Sequence, residues 1–152
     1  MTGFRKSEVE EIITTIERWA ISHSLILSMA LVGSWARNEA NSHSDIDLMF
    51  LTSEPKLFFD DVHWFKNISW HKFNLEINDY YDRTYGIVRS RHLCFQNGKR
   101  VEFSFGYPNW ANTNPIDPGT LKVVSSGIKI ISDRDRLLEN LVNAIALTKL
   151  QI

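Results

Sequence analysis

The spacing of hydrophobic positions predicts two helices and two strands in the first half of the chain. Across residues 7–22, apolar side chains recur three and four positions apart, as on the buried face of a helix. Residues 25–32 form an apolar, strand-like run, and residues 45–50 form a second strand. A proline opens the helix predicted for residues 55–68, because proline is tolerated in the first helical turn.

In the second half of the chain, apolar and polar residues first alternate with a period of two. Alternation across residues 73–77 predicts a half-buried strand, and the polar, tyrosine-rich residues 78–86 are predicted to be a connection. Asn97-Gly98 is the strongest hairpin signal and predicts that strands at residues 87–95 and 100–105 pair with each other. Three further elements are predicted: a helical turn at residues 120–126, a strand at residues 128–131, and a last helix capped by Ser132 or Asp133 that reaches about residue 147.

Two aspartates at the start of the second predicted strand form a candidate metal site. Side chains two positions apart in a strand point to the same face, so Asp45 and Asp47 project together. Magnesium takes oxygen ligands and is commonly held by one or two carboxylates together with substrate phosphates. Upstream, Gly33 lacks a Cβ atom and lets a phosphate approach the backbone. Ser34 adds a hydroxyl and an N–H group at the start of a short predicted helix, which suits an anion.

The combination of Gly33-Ser34 with Asp45-x-Asp47 resembles the signature of the nucleotidyltransferase superfamily related to DNA polymerase β, in particular its small bacterial members. Ala36-Arg37 and Ser44-Asp45, between the two parts, are also familiar from that family. Asn38 is a departure, since many relatives carry glycine there, but asparagine tolerates a positive φ angle. The resemblance implies an α+β fold, a mixed β-sheet with helices packed on one face, as in the nucleotidyltransferase (polymerase β-like palm) fold.

The family pattern needs a third acidic residue on a neighbouring strand, and Glu102 is the natural candidate. If the hairpin turns tightly at Asn97-Gly98, Arg91 lies opposite Ser104. Arg89, Arg91 and Glu102 would then share the face of the two aspartates. A three-residue loop with a bulge would reverse this facing. The alternative interpretation of Glu102 is an exposed acid in a diagonal salt bridge with Arg91.

The resemblance also implies the reaction, which is magnesium-dependent transfer of a nucleoside monophosphate to a hydroxyl acceptor with release of pyrophosphate. AMP from ATP is the expected donor group. Gly33, Ser34 and Arg37 would bind the nucleotide. Asp45, Asp47 and Glu102 would be the catalytic residues and also the metal ligands, with two magnesium ions expected.

Composition and charge are those of a globular protein. The chain has 152 residues, 43% of them hydrophobic and 23% charged, which predicts a single nucleotidyltransferase domain over residues 1–152. A net charge of -1 gives no support for non-specific binding to nucleic acid. The single Cys94 excludes an internal disulfide. The sequence has neither a signal peptide nor an apolar run that would span a membrane, so we expect a cytoplasmic location.

The sequence leaves the acceptor open. Relatives with this signature modify aminoglycosides, RNA ends or hydroxyl groups of proteins, so a protein hydroxyl or a small molecule is expected. Antibiotic-modifying relatives usually add a helical C-terminal domain, and the residues after the last predicted strand are too few for one. The acceptor would then bind against the core, across a homodimer, or on a separate partner.

Small stand-alone members of the family often act as the antitoxin of a two-protein pair, which makes a small, helical, toxin-like protein a candidate partner. The alternative class of function is a catalytically silent module that binds a nucleotide or a partner, such as a non-enzymatic antitoxin. The intact Gly33-Ser34 and both aspartates favour the enzyme.

Overall fold

A mixed β-sheet of six strands organises the chain in the computed structural model, which describes residues 3–41 and 43–150, without the side chain of Leu150. The strands are β1 (Ile26–Val32), β2 (Ile46–Thr52), β3 (Ile77–Tyr85), β4 (Val88–Phe95), β5 (Arg100–Gly106) and β6 (Lys129–Asp133). They lie in the order β3-β4-β5-β2-β1-β6. β2 and β5 run parallel, whereas the other neighbouring pairs are antiparallel.

Helices cover both faces of this sheet. They are α1 (Lys6–Ile21), α2 (Gly33–Ala36), α3 (Pro55–Asp60), α4 (Pro118–Ser126) and α5 (Leu137–Leu150). α1 and α3 pack on the face that contains Leu48 and Phe50, while α4 and α5 cover part of the opposite face around Met49 and Leu51. The α+β class and the mixed sheet are therefore confirmed, and helix packing extends beyond the one face that was expected.

An aromatic layer holds the parallel strands β2 and β5 together on the α1 face. The Phe50 and Phe103 rings stack with centroids 5.7 Å apart, and the Phe58 ring from α3 stacks on Phe105 at 4.7 Å. All four side chains are buried, and burying each stabilises the fold by about 1.5–3 kcal/mol. Side chains that point to the other face of β2 and β5 are consequently held at a fixed separation.

The predicted helix at residues 55–68 is too long. α3 ends at Asp60, and the chain continues as a 3-10 turn over Trp64–Asn67. The Trp64 indole Nε1 donates a hydrogen bond of 2.6 Å to the Phe58 carbonyl at the end of α3. This tertiary bond folds the segment back on itself, so the buried aromatic side chains come from two short helices and not from one long stripe.

The third strand also lies later in the chain than predicted. Residues Trp70–Phe73 form a 3-10 turn, in which Trp70 Nε1 donates a 2.7 Å hydrogen bond to the Phe65 carbonyl. β3 begins at Ile77 and runs to Tyr85, through the segment that was predicted to be a connection. β3 is an edge strand whose side chains are mostly exposed on both faces, so it lacks the alternation that marks a half-buried strand.

Most of the remaining predicted elements are confirmed within a few residues. α1, β1, β2, β6 and the β4–β5 hairpin agree with their sequence patterns. Asp133 caps α5 as proposed, because its two carboxylate oxygens accept the N–H groups of Leu138 and Glu139 at 2.9 Å each. Asn38 adopts the positive φ angle, 57°, that its position requires. Within the described ranges, we find no helix that combines the length and apolarity needed to cross a membrane.

The hairpin turn has three residues, which changes the facing of its side chains. Gly98, the last residue of loop 96–98, has a φ angle of 87°, and its N–H donates to the Phe95 carbonyl at 2.9 Å. In this register His92 lies opposite Glu102, whereas a tight turn would have placed Leu93 opposite Glu102. The expectation that Arg89 and Arg91 share the face of Glu102 is therefore wrong, because a shift of one residue moves every side chain to the other face.

Candidate active site

Asp47 and Glu102 lie side by side because their strands pair in parallel. Asp47 on β2 is the register partner of Glu102 on β5, and Leu48 is the partner of Phe103. Leu48 and Phe103, the next residues along the two strands, point into the aromatic layer, so the two carboxylates both point to the opposite face. The alternation of side chains along the two strands thus places an acidic pair on the face of the sheet opposite the aromatic layer.

Asp45 and Arg100 form an ion pair at the start of β2 and β5, next to the Asp47–Glu102 pair. Asp45 immediately precedes β2, and its Oδ1 accepts the Arg100 Nε at 3.3 Å in an ion pair. Burial raises the pKa of Asp45 above its ordinary value, although the Arg100 guanidinium opposes this shift. A pocket of about 120 Å³ adjoins the pair and is also lined by His43 and Lys99. Arg100 was not among the predicted site residues.

Gly33 begins the short turn between β1 and β2 and lies against the Asp47 carboxylate. Its φ angle is 74°, and a Cβ atom added here would collide with the Asp47 Oδ2 atom. Glycine is therefore required for two reasons, the backbone conformation and the close approach of Asp47. Ser34 and Arg37, the other two predicted nucleotide-binding residues, follow on and after α2. Burial raises the pKa of Asp47, and the positive charge of Arg37 only partly opposes this rise; the Arg37 Nε pairs with Glu39 at 3.0 Å.

The close contact of Gly33 with Asp47 leads to a prediction with a matched control. We expect Gly33→Ala to destabilise the protein by about 1–3 kcal/mol and to abolish magnesium-dependent nucleotide binding, because the methyl group both strains the backbone and displaces Asp47. Gly86→Ala is the control, since Gly86 also has a positive φ angle, 58°, but has no atom near its Cβ position. Thermal unfolding and nucleotide titration check both variants. Equal behaviour of the two variants in both measurements would contradict the role given to the Asp47 contact.

Burial and neighbouring negative charge dominate the electrostatics of the acidic pair. Burial, the charge of Glu102, its hydrogen bond to Asp47, and the charge of Asp45 together raise the pKa of Asp47 to about 8. No group of three His, Cys, Asp or Glu side chains in residues 3–41 and 43–150 already has metal-binding geometry, and Asp45 is paired with Arg100. The donor set consists of carboxylate oxygens, which fit magnesium, and a divalent cation would relieve the repulsion that raises this pKa.

Glu102 is surrounded by a polar network that the sequence analysis missed. Ser104 Oγ donates a 3.2 Å hydrogen bond to Glu102 Oε1, and Ser104 Oγ is 2.6 Å from Ser90 Oγ. His92 Nδ1 lies 3.8 Å from Glu102 Oε2. The signal was present in the alternation of β4, because a three-residue hairpin loop places Ser90 and His92 on the acidic face.

Arg91 has a structural role on the other face of the hairpin. Its side chain is 1% exposed and forms a bidentate ion pair with Asp82, with distances of 2.8 and 2.9 Å. The guanidinium also donates to the carbonyl groups of Phe58, Phe59 and Asp61, which closes the end of α3. The alternative of a salt bridge between Arg91 and Glu102 is therefore wrong. Arg89 lies on the same face and stacks its guanidinium over the Phe59 ring at 4.3 Å.

Comparison with known proteins agrees with this fold. Residues 10–92, more than half of the chain, match the family described as the nucleotidyltransferase domain, a segment that includes Gly33 and both aspartates but ends before Glu102. Among solved structures, an aminoglycoside 6-adenyltransferase from Bacillus subtilis is similar, with 11% identity and a TM-score of 0.50 over 73% of this chain and 38% of that one.

The Cid1 RNA terminal uridylyl transferase structure is also similar, with 13% identity and a TM-score of 0.41 over 68% of this chain and 32% of that one. The chain thus spans well under half the length of either structure. None of the curated proteins matches it significantly in sequence. On the family match over residues 10–92, with which the agreement in fold is consistent, the chain belongs to the nucleotidyltransferase domain family.

Proposed function

We propose that the chain is a magnesium-dependent nucleotidyltransferase that moves AMP from ATP to a hydroxyl acceptor and releases pyrophosphate. The observation that carries the proposal is the contact of Asp47 with both Glu102 and the Gly33 turn. This contact joins the Asp47 carboxylate, whose pKa is raised, to Glu102 and to the backbone of the family's signature turn. The choice of adenine follows the resemblance of the signature and the name of the Bacillus subtilis structure.

Asp45, Asp47 and Glu102 are the residues that would hold magnesium. For Asp45, this requires its carboxylate to exchange the Arg100 guanidinium for the ion. When bound, magnesium offsets negative charge on the triphosphate and on the attacking and leaving oxygens. The binding of ATP would therefore be coupled to the binding of the metal, because the three carboxylates repel an unaccompanied triphosphate.

The order of the strands supports a division of the proposed site into a nucleotide side and an acceptor side. Gly33 and Ser34 follow β1, Asp47 lies on β2, and Glu102 lies on β5, so Asp47 is between the turn and Glu102. The turn binds the β- and γ-phosphates, with Arg37 as an additional cation. Because in-line displacement places the attacking and leaving oxygens on opposite sides of the α-phosphorus, the acceptor approaches from the side of Glu102.

Glu102 then acts on the acceptor hydroxyl. One of its carboxylate oxygens takes the proton, the hydroxyl oxygen forms the new bond to the α-phosphorus, and the bond from that phosphorus to the leaving pyrophosphate breaks. Positioning of the two reacting groups by the rigid strands supplies most of the remaining rate enhancement. We propose as acceptor a hydroxyl group of a protein or a small molecule, presented by a separate partner or a second copy of the chain.

Radiolabelled ATP tests the proposal and separates it from a silent module. The protein is incubated with magnesium and either α- or γ-labelled ATP, together with the protein and small-molecule fractions of a cell extract as acceptors. We expect label from the α-phosphate in one fraction, with stoichiometric pyrophosphate and with loss of both signals in EDTA. Label from the γ-phosphate would indicate a kinase. Nucleotide binding without label in either fraction would indicate the silent module.

A further inference from the structure

We propose that His92 is a positioning residue that holds the Glu102 carboxylate in its reactive orientation. The inference rests on the proposed function, since it concerns the acid assigned to the acceptor. His92 is the register partner of Glu102 on β4, and the residue is 7% exposed. A buried histidine on the acidic face, with one ring nitrogen 3.8 Å from a carboxylate oxygen, is placed to act on that carboxylate and not on solvent.

The imidazole ring of His92 is fixed by two tyrosines of β3. The Tyr81 ring stacks on it with centroids 4.5 Å apart and an interplanar angle of 9°. The Tyr85 hydroxyl lies 3.2 Å from His92 Nε2. We infer that this hydroxyl donates to Nε2, so the ring N–H group is on Nδ1, the nitrogen that faces Glu102. The ring therefore presents a donor to the carboxylate at a fixed position.

The second oxygen of Glu102 is held independently. Ser104 Oγ donates to Oε1 at 3.2 Å, and Ser104 is supported by Ser90, which is fully buried. His92 faces Oε2, so the two oxygens of Glu102 have different partners. A hydrogen bond at one oxygen and the His92 ring facing the other restrict the rotation of the Glu102 carboxylate. The network thus sets the direction in which Glu102 meets an acceptor proton or a metal ion.

Two variants of His92 separate positioning from packing. Phenylalanine keeps the ring that stacks on Tyr81 but has no Nδ1 donor, whereas asparagine loses the stack and places an amide N–H near the position of Nδ1. His71→Phe is the matched control, because His71 is exposed and outside the site. Steady-state transfer, thermal unfolding and NMR three-bond couplings that report the χ1 populations of Glu102 are measured for each variant.

If His92 positions Glu102, His92→Phe lowers kcat about 10- to 100-fold and leaves KM for ATP within about twofold, as expected for a residue that acts through another. The Glu102 χ1 angle then averages over several rotamers in His92→Phe but stays in one rotamer in the wild type, His71→Phe and His92→Asn. His92→Asn recovers most of kcat. Loss of thermal stability in His92→Phe with an unchanged kcat would mean that His92 is a packing residue, and the proposal would fall.

The NMR measurement uses the metal-free protein, so it does not depend on the proposed reaction. If the wild type transfers no nucleotide but Glu102 loses its single rotamer in His92→Phe only, the proposed function fails and the positioning role stands. If transfer occurs and neither kcat nor the Glu102 rotamer changes in His92→Phe, the positioning role fails and the proposed function stands. A Glu102 side chain that is already averaged in the wild type would also overturn the inference.

Discussion

Asp47→Asn is expected to abolish nucleotidyl transfer and, at pH 8, to raise the melting temperature of the metal-free protein. Activity is lost because an amide is a poor magnesium ligand and Asp47 lies at the centre of the proposed site. Stability rises because the substitution removes a buried carboxylate that is repelled by Glu102 and Asp45. Substitution of a residue with only a structural role would not lower activity and raise stability at the same time.

The pH dependence of this effect follows from the direction of the pKa shift. In the folded protein the pKa of Asp47 is raised from 3.8 to about 8, so between these pH values the folded state holds a proton that the unfolded state has released. The stability contributed by Asp47 therefore falls as the pH rises through this window. Below the window the carboxyl is protonated in both states, so it adds no pH dependence to the stability. The amide of Asp47→Asn does not titrate, so the melting temperature of the variant should exceed that of the wild type increasingly from pH 4 to pH 8.

Thermal unfolding across this pH range, with and without magnesium and ATP, measures the effect. Magnesium with ATP should raise the melting temperature of the wild type at pH 8 and leave that of the variant unchanged. Asp60→Asn is the control, because this aspartate is exposed at the end of α3. A difference in melting temperature that does not change with pH would contradict the electrostatic account of Asp47.

Glu102→Gln is expected to lower transfer at least about 100-fold, within the range of about 10²–10⁴ that a general base contributes, and to leave ATP binding largely intact. Glutamine has nearly the same shape, so it keeps the hydrogen bond from Ser104 and the contact with His92. It has no basic carboxylate to take the acceptor proton, and it is a weaker metal ligand. The loss should therefore appear in kcat more than in the binding of ATP.

Single-turnover transfer and calorimetric titration with ATP and magnesium check this prediction on the same preparation. Glu76→Gln is the matched control, because Glu76 is exposed and precedes β3. We expect the control to resemble the wild type in both measurements. Full transfer activity in Glu102→Gln would leave the site with two carboxylates and no base, and the assignment of Glu102 would be wrong.

Local patterns in the sequence determined the turn that carries the signature. The apolar runs that became β1 and β2 are buried, and the residues between them are polar, so the two strands and their connection followed from the period of the side chains. Gly33 and both aspartates lie close together in the chain. Their grouping at one end of adjacent strands needed no long-range information. The hairpin could also be predicted from the sequence, because Asn-Gly has a strong preference for turns.

Only the tertiary structure decided which side chains join these residues. Asp47 meets Glu102 through the parallel pairing of β2 and β5, which depends on an aromatic layer assembled from distant segments. One additional residue in loop 96–98 placed His92 on the acidic face and Arg91 on the other, and the Asn-Gly pair is compatible with either length. β3 has no hydrophobic period because it is an exposed edge strand. The parallel pairing of β2 with β5 arises from contacts between residues far apart in sequence, so the local spacing of side chains does not encode it.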